Sequence, residues 1–348
     1  MTVTTPPTPG INAERVTGWL QGLRTGLVPP LTFTRMGDGQ SNLTYLVADT
    51  GGRRQVLRRP PLGPLLPSAH DVVREHRVMS ALVSTDVPAP TPLALCQDAA
   101  LCDAPLMLME LVEGIVVDSV EVAQTLPPER RAAVGLSLAS TLGTIHAVDL
   151  AATGLNTLAS HRPYADRQLR RWRRQWDDTG LRELPRVHVF ADRLSRCIPP
   201  QREVTLLHGD YHLLNVVTDA STGTVTGVLD WELCTLGDPV ADLGGLLAYW
   251  PDSEDELGAP TEIPGLPGFP SRTEIIERYA STTHRDVASI GFWFALGCWK
   301  IAVIGEGVRS RMLGDPRNRS RSARLSEQVV DDMLDRAERV ADEYGLPD

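Results

Sequence analysis

LLHGDYHLLNVVTDASTGTVTGVLDWELCTLGDPVADLG, residues 206–244, is the most informative stretch of the chain. Asp210 and Asn215 lie five residues apart, and Asp230 follows a predicted β-hairpin. A carboxylate beside an acceptor hydroxyl can orient it and take its proton. An amide oxygen and a second carboxylate can bind Mg²⁺. This order and spacing suit phosphoryl transfer from ATP, which depends on positioning and charge neutralisation.

Each of these three residues also has a simpler interpretation, because Asp and Asn are common in turns. Their combination favours a catalytic site. Asp210 ends an HGD sequence, and Asp230 comes directly after an apolar strand predicted at 225–229. A strand end would hold the Asp230 carboxylate in a rigid position.

Other polar residues in the stretch are expected to have structural roles. We expect His208 to hydrogen-bond to the backbone and hold the loop, rather than to act as a base or metal ligand. His212 either lies near the nucleotide or is exposed. Asp238 is predicted to cap a helix and Asp242 to tie the loop to a neighbour. Cys234 is interpreted as a packed residue, since it has no catalytic partner at a recognisable spacing.

The composition excludes several classes of protein. The chain has 348 residues, is 42% hydrophobic, and carries a net charge of −10. This balance argues against a nucleic-acid-binding protein. No run approaches 18 apolar residues, so no membrane span is predicted. The N-terminus does not resemble a secretion signal, and the five scattered cysteines fit reduced thiols. A cytoplasmic location is therefore expected.

The pattern changes character along the chain. A first helix at 11–27 is followed by about one hundred residues that read as an antiparallel sheet with one inserted helix. After Glu113 the pattern is mostly helical, so the fold class is predicted to be α+β. Strands are expected at 31–36, 43–48, 54–59, 93–96 and 106–111, and helices at 69–82, 128–148, 164–177, 187–197, 271–282, 288–312 and 322–344. Residues 251–270 are expected to form a surface loop, which we hypothesise covers the acceptor.

The chain resembles the aminoglycoside phosphotransferase-like family, and most strongly its branch of kinase domains associated with acyl-CoA dehydrogenases. The resemblance is carried by GDGQSN (37–42), VLRRPP (56–61), SAHDVVREHRVMSAL (68–82), HGDYHLLN (208–215), LDWELCTLGDPVADLG (229–244) and GLPGFPSRTE (265–274). It implies a protein-kinase-like bilobal fold, with an antiparallel-sheet N-lobe and a mostly helical C-lobe. The domain boundaries expected are 1–27 for the N-terminal tail and helix, 28–112 for the N-lobe, and 113–348 for the C-lobe.

The resemblance also implies roles for individual residues. Asp210 would be the catalytic base, and Asn215 and Asp230 would be the Mg²⁺ ligands. Arg58 stands where the family usually has a Lys that pairs with the ATP phosphates, with Arg59 as the alternative, and Glu75 would hold this cation. Further contacts to ATP are expected from the glycine-rich hairpin and the hinge strand, through Gly39, Ser41, Asn42 and Glu110.

The chain is thus predicted to be an ATP- and Mg²⁺-dependent kinase with a small-molecule hydroxyl acceptor, active as a monomer or homodimer without nucleic acid or membrane. The resemblance favours a hydroxyacyl-CoA as acceptor. Two arginine-rich stretches, 166–176 and 308–324, could pair with its phosphates or simply form solvated helix faces. An aminoglycoside or other antibiotic is the alternative, which the acidic loop 252–256 would suit. A nucleotide-binding pseudokinase is a further alternative.

Overall fold

The computed structural model describes residues 8–37, 42–62, 71–160, 162–251, 259–314 and 327–348. The chain divides into two compact units. The first comprises Met1–Val83 with Ala89–Val112, and the second comprises Ser84–Pro88 with Glu113–Asp348. The prediction of an α+β fold with one antiparallel-sheet unit and one mostly helical unit is confirmed.

The first unit contains a five-stranded sheet of order β1-β2-β3-β5-β4, in which every neighbouring pair is antiparallel. Its strands are β1 (Leu31–Met36), β2 (Leu43–Asp49), β3 (Arg54–Arg59), β4 (Pro92–Cys96) and β5 (Leu106–Glu110). The central strands β3 and β5 are nearly continuous runs of buried side chains. They therefore form the rigid middle of the sheet.

Two helices accompany this sheet. Helix α1 (Ala13–Gly22) starts at Asn12, whose side chain accepts a hydrogen bond from the Arg15 N–H, and its buried face joins the core of the sheet. The predicted helix at 11–27 is too long, because the chain is already extended at Leu23. Helix α2 (Val72–Leu82) is capped in the same way by Asp71 and packs on β4 and β5.

The second unit is built around α9 (Ile290–Gly314), which packs against α5, α6, α7 and α10. The other helices of this unit are α3 (Val120–Thr125), α4 (Pro128–His146), α5 (Tyr164–Thr179), α6 (Arg186–Arg196), α7 (Val240–Ala248), α8 (Arg272–Thr283) and α10 (Glu327–Glu343). The capping box predicted at Ser271 and Glu274 is present at the start of α8. The predicted cap at Asp238 is one residue out: Pro239 occupies the N-cap position of α7, and the side chain of Asp238, just before it, accepts a hydrogen bond from the Val240 N–H at 3.0 Å.

Four short strands complete the second unit: β6 (Thr205–Leu207), β7 (Val216–Thr218), β8 (Val225–Val228) and β9 (Thr235–Gly237). The predicted hairpin is formed by β7 and β8, and β6 pairs with β9. The sequence pattern did not predict β6, β9 or α3. Each is only three to six residues long, which is too short for a hydrophobic period to be recognised.

Helix α9 bears on the expectation that the chain has no membrane span. By length and composition alone it is apolar enough to cross a membrane, and it is the one such helix in the described part of the chain. Most of its apolar stretch is buried inside the protein. This is the behaviour of a core helix, so the helix is weak evidence for a membrane span.

Candidate active site

The HGD loop follows β6 and is held by one buried carboxylate. Asp242, in the first turn of α7, accepts the backbone N–H of His208 at 2.6 Å and that of Gly209 at 3.0 Å. Gly209 has φ +84°, and a Cβ here would lie 2.5 Å from the carbonyl oxygen of Leu233. The loop therefore needs glycine at this position and an acid at position 242.

His208 is a structural residue, as predicted. Its Nδ1 accepts the Asp210 N–H at 3.3 Å, so Nε2 carries the proton and donates to the Leu229 carbonyl oxygen at 2.9 Å. Burial lowers the pKa of His208 and keeps it neutral. The ring packs against Trp231, with centroids 4.8 Å apart. It thereby connects the loop before Asp210 to the segment before Asp230.

Asp210 lies beside cationic and hydrogen-bonding groups. Its Oδ2 is 3.5 Å from His212 Nε2 and accepts from Asn215 Nδ2 at 3.3 Å. Burial would raise the pKa of Asp210, but His212 and Lys300 outweigh burial and hold it well below its usual range. Asp210 is therefore an ionised carboxylate at neutral pH.

The β7–β8 hairpin brings the two predicted Mg²⁺ ligands to the same place. Asn215 immediately precedes β7 and Asp230 follows β8, and Val216 pairs with Val228. The Leu229 N–H donates to the Asn215 carbonyl oxygen at 2.8 Å, which extends this pairing to the end of the hairpin. Asp230 is in the left-handed region, with φ 67° and ψ 61°. Such a conformation costs on the order of 1 kcal/mol and is often found at functional sites.

Asn215 and Asp230 fit a magnesium site in which substrate phosphates and waters would supply the remaining ligands. The amide nitrogen of Asn215 donates to Asp210, so its oxygen is the atom available to a cation. No group of three or more His, Cys, Asp or Glu side chains able to hold a metal occurs in the described residues. Mg²⁺ does not need such a cage, since one or two protein oxygens with phosphates and waters satisfy it.

Lys300 was not among the site residues predicted from the sequence. It is the only charged residue between Ile290 and Gly305, in an otherwise apolar stretch of α9, and this isolation was the available signal. Its Nζ donates to the Gly209 carbonyl oxygen at 2.6 Å and lies 5.6 Å from the centre of the Trp172 ring. Burial lowers its pKa, although Asp210 and Asp242 act in the opposite direction. Lys300 thus places a positive charge next to the HGD loop.

A cavity within the second unit, here called the apolar cavity, adjoins Asp210 and Lys300. Its walls are mainly aromatic and aliphatic and include Tyr164, Trp172, Tyr249, Trp293, Leu296 and Ile304. His212 is stacked on Tyr249, with centroids 4.1 Å apart, which places an imidazole at the wall near Asp210. The space beside the candidate base is therefore suited to an apolar group.

In the first unit, the basic and acidic residues expected to pair do so. Arg58 on β3 lies 3.2 Å from Glu75 on α2, measured from Nε to Oε2, and both side chains are buried. Arg59 has different partners: it is also buried, but it pairs with Asp103 at 2.9 Å and donates to the Gly10 carbonyl oxygen. Successive strand residues point to opposite faces of the sheet, so the two arginines have separate surroundings.

Of the four other residues predicted to contact the nucleotide, the structure describes two. Asn42 is buried at the start of β2, whereas Gly39 and Ser41 lie outside the described residues. Glu110 is exposed at the end of β5, and its N–H donates to the Thr91 carbonyl oxygen at 2.9 Å. Any contact between this residue and an adenine ring would therefore use the carbonyl or the side chain of Glu110.

The arginines of the stretch at 166–176 lie in different environments. Arg173 pairs with Asp192, and Arg170 is 3.8 Å from Asp166 on an exposed face. Arg167 and Arg171, by contrast, line a second cavity beside Gly209 and Lys300. Of the stretch at 308–324, residues 315–324 lie outside the described residues, as does the acidic loop at 252–256. Cys234 is buried and is not part of either cavity.

Comparison with known proteins agrees with this geometry. The model of a phosphotransferase enzyme family, APH, matches residues 32–271. Acyl-CoA dehydrogenase family member 10 of Mus musculus is 33% identical over 352 residues, covering 97% of this chain and 32% of that protein. Acyl-CoA dehydrogenase family member 11 of Gallus gallus is 35% identical over 294 residues, covering 81% of this chain and 37% of that protein. The chain thus spans about a third of the length of these curated relatives.

Solved structures share the fold. One from Ralstonia eutropha, whose own assignment as an aminoglycoside phosphotransferase is provisional, has a TM-score of 0.74 and 26% identity, covering 94% of this chain and 98% of that one. An aminoglycoside phosphotransferase in ternary complex with AMP-PNP and hygromycin B has a TM-score of 0.57, 17% identity, and coverage of 94% and 97%. Another, in complex with GDP and kanamycin, has a TM-score of 0.60, 15% identity, and coverage of 95% and 98%.

Proposed function

This chain belongs to the phosphotransferase enzyme family, as a kinase that acts on hydroxyl groups, and we propose that it phosphorylates a hydroxyacyl-CoA with ATP and Mg²⁺. The observation that carries the choice of acceptor is the apolar cavity beside Asp210. An acyl chain could fill it, whereas a polar aminoglycoside would gain little from its aromatic walls. The names of the relatives, which are acyl-CoA dehydrogenase family members, support the same choice.

The proposed reaction starts with the acceptor hydroxyl hydrogen-bonded to the Asp210 carboxylate. The hydroxyl oxygen forms a bond to the γ-phosphorus of ATP while the bond from that phosphorus to the ADP oxygen breaks. The hydroxyl proton goes to Asp210. Because the pKa of Asp210 is held low, its main contribution before bond formation is to orient the hydroxyl, and the proton moves late.

The other proposed roles concern charge. Asn215 and Asp230 would hold Mg²⁺, which neutralises phosphate charge when bound. Arg58, kept in place by Glu75, would contact the ATP phosphates, and the separate partners of Arg59 support this assignment. Asn42 and the neighbouring Gly39 and Ser41 would contribute hydrogen bonds to phosphate, and Glu110 would lie near adenine.

The test is an ADP-release assay with MgATP and a panel of 3- and 4-hydroxyacyl-CoAs and aminoglycosides. We expect turnover of a hydroxyacyl-CoA, with kcat reduced by about 10²–10⁴-fold in Asp210→Asn. The matched control is Asp178→Asn, which removes the same charge from an exposed position on α5. Nucleotide binding should survive both substitutions.

Three results would change the proposal. Turnover of aminoglycosides alone would make the chain an antibiotic phosphotransferase. Nucleotide binding without turnover of any acceptor would favour the pseudokinase alternative. Equal turnover by the protein and its Asp210→Asn variant would contradict the role of Asp210. Repeating the assay with GTP would establish which nucleotide is preferred.

A further inference from the structure

Gln168, on α5, is a buried neutral side chain to which the proposed reaction gives no role. The residue is 8% exposed, and it lines both the apolar cavity and the second cavity beside Gly209 and Lys300. Burying an amide costs free energy unless its hydrogen-bonding groups find partners. The partners of Gln168 therefore indicate what this side chain does in the wall that the two cavities share.

Trp172 fixes the orientation of the amide. Its indole N–H donates to Gln168 Oε1 at 2.9 Å, between residues four apart on one helix. An indole nitrogen can only donate a hydrogen bond, so the amide oxygen must face Trp172. The NH₂ group lies on the opposite side of the amide carbon and is the part of the side chain left to bind a ligand. Gln168 thus offers a donor whose direction is set before any ligand binds.

The same tryptophan connects Gln168 to the HGD loop. Lys300 Nζ lies 5.6 Å from the centre of the Trp172 ring and donates to the Gly209 carbonyl oxygen at 2.6 Å. Asp210, the proposed base, is the next residue along the chain and lines the apolar cavity together with Gln168. A ligand in this cavity therefore meets a carboxylate that accepts hydrogen bonds and an amide that donates them.

We propose that Gln168 is a specificity-determining residue for the acceptor, and that its NH₂ group donates a hydrogen bond to an uncharged carbonyl oxygen of the molecule whose hydroxyl group is bound by Asp210. This inference rests on the proposed kinase function and deepens it, because a hydroxyacyl thioester carries both groups. The walls of the cavity are mainly aromatic and aliphatic. In such a site a small number of placed polar groups fixes the orientation of the ligand.

The proposed contact explains how the site would distinguish a hydroxyacyl compound from a plain alcohol. A site built to hydrogen-bond a polar group of its substrate discriminates against an analogue that lacks this group, because a buried donor of the protein is then left unpaired. An alkyl alcohol fills the apolar cavity equally well but leaves the Gln168 amide without a partner. The ammonium groups of an aminoglycoside can only donate, so they cannot pair with this amide nitrogen either.

The test compares acceptors that differ by one oxygen atom. They are 3- and 4-hydroxydecanoyl-CoA and the corresponding hydroxydecyl-CoA thioethers, in which a CH₂ group replaces the carbonyl group. Gln168→Glu keeps an oxygen for Trp172 and replaces the NH₂ group, whereas Gln168→Met removes the amide without adding charge. The matched control is Gln175→Glu, which makes the same change on the same helix at a residue that lines neither of the two cavities.

We expect the ratio of kcat/KM for the thioesters to kcat/KM for the thioethers to fall about tenfold in both Gln168 variants, the loss expected for one hydrogen bond. Added charge or altered shape acts on both acceptors, whereas loss of the donor acts on the thioesters alone. Gln175→Glu should change the ratio less than about twofold. An unchanged ratio in the Gln168 variants, or an equal fall in the control, would overturn the proposal.

Calorimetric titration with the same compounds in the absence of ATP separates this proposal from the proposed function. Tighter binding of the thioester than of the thioether, with the difference lost in Gln168→Met, supports the contact even where no acceptor is phosphorylated, which would be a failure of the kinase proposal alone. Equal binding of the two compounds, binding of neither, or a difference that persists in Gln168→Met overturns the contact, and the kinase proposal then stands or falls by turnover.

Discussion

Neighbouring residues fix the backbone around Asp210, the proposed catalytic carboxylate. His208 accepts its N–H, Asn215 donates to its side chain, and Asp242 holds the two preceding backbone N–H groups. Asp242 is buried, and although burial would raise its pKa, the nearby histidines and the backbone donors hold that pKa low. A charged acceptor with two oxygens is the group that satisfies two such donors.

This arrangement predicts the effect of Asp242→Asn. An asparagine has one acceptor oxygen, so its NH₂ group would face the N–H of His208 or Gly209. We expect the free energy of unfolding to fall by about 1–3 kcal/mol, the cost of a buried unsatisfied donor. The measurement is urea unfolding, with kcat as a second readout because the loop carries Asp210. The exposed Asp178→Asn is the control, and an Asp242→Asn variant as stable as that control would contradict this account.

At the scale of elements, the second unit depends on close packing between α7 and α9. A Cβ at Gly244 would lie 2.4 Å from the backbone carbon of Trp293 and 2.5 Å from its carbonyl oxygen. Helices in contact through side chains are usually 8–10 Å apart, and glycine allows a closer approach here. Because α9 carries Lys300 and α7 carries Asp242, this distance positions two residues of the candidate active site.

Two adjacent glycines on α7 provide a matched test of this packing. Gly244→Ala should force the helices apart and reduce the free energy of unfolding by about 1–3 kcal/mol, as overpacked cores do. Gly245→Ala should be neutral or stabilising by up to about 1 kcal/mol, because no atom lies within 4 Å of its added Cβ and alanine favours helix. Thermal and urea unfolding of the two variants would measure this difference. Equal stability of both would show that the contact between α7 and α9 is not limiting.

At the scale of the whole molecule, arginines and acids of the second unit form a network that ties α6 and the residues before it to α9 and α10. Arg182 reaches Glu306 at 2.8 Å and Asp331 at 3.0 Å, and Arg193 reaches Asp342 at 2.8 Å. Single surface pairs contribute little, but a network that includes the buried Glu306 contributes more. Ion pairs of this kind account for several of the arginines in the second unit.

Two of the buried histidines, His146 and His208, predict how stability depends on pH. Burial lowers the pKa of both His146 and His208, so near pH 6.5 the unfolded chain binds protons that the folded protein does not. The two histidines therefore make their full contribution to the free energy of unfolding above about pH 6.5. That free energy falls as the pH decreases towards their folded-state pKa values. We expect the free energy of unfolding to be lower at pH 5.5 than at pH 7.5, by at most about 1.4 kcal/mol for each histidine.

Urea unfolding at pH 7.5, 6.5 and 5.5 measures this dependence. His146→Gln should reduce the slope by about half, since one of two linked groups is removed. A free energy of unfolding that is constant across this range would contradict the assignment of both histidines as neutral in the folded protein.

The sequence by itself determined the chemistry of the candidate site and most of the regular structure. Asp210, Asn215 and Asp230 stand in contiguous segments with turn and strand signals between them, and long amphipathic helices have a period that can be read locally. Only the tertiary structure decided that Lys300 contacts the Gly209 carbonyl across 91 residues, and that Arg167 and Arg171 line a cavity whereas Arg170, Arg173 and Arg174 do not. The reason is physical: local periodicity reports which face of an element is buried, but contacts between distant elements depend on how those faces pack.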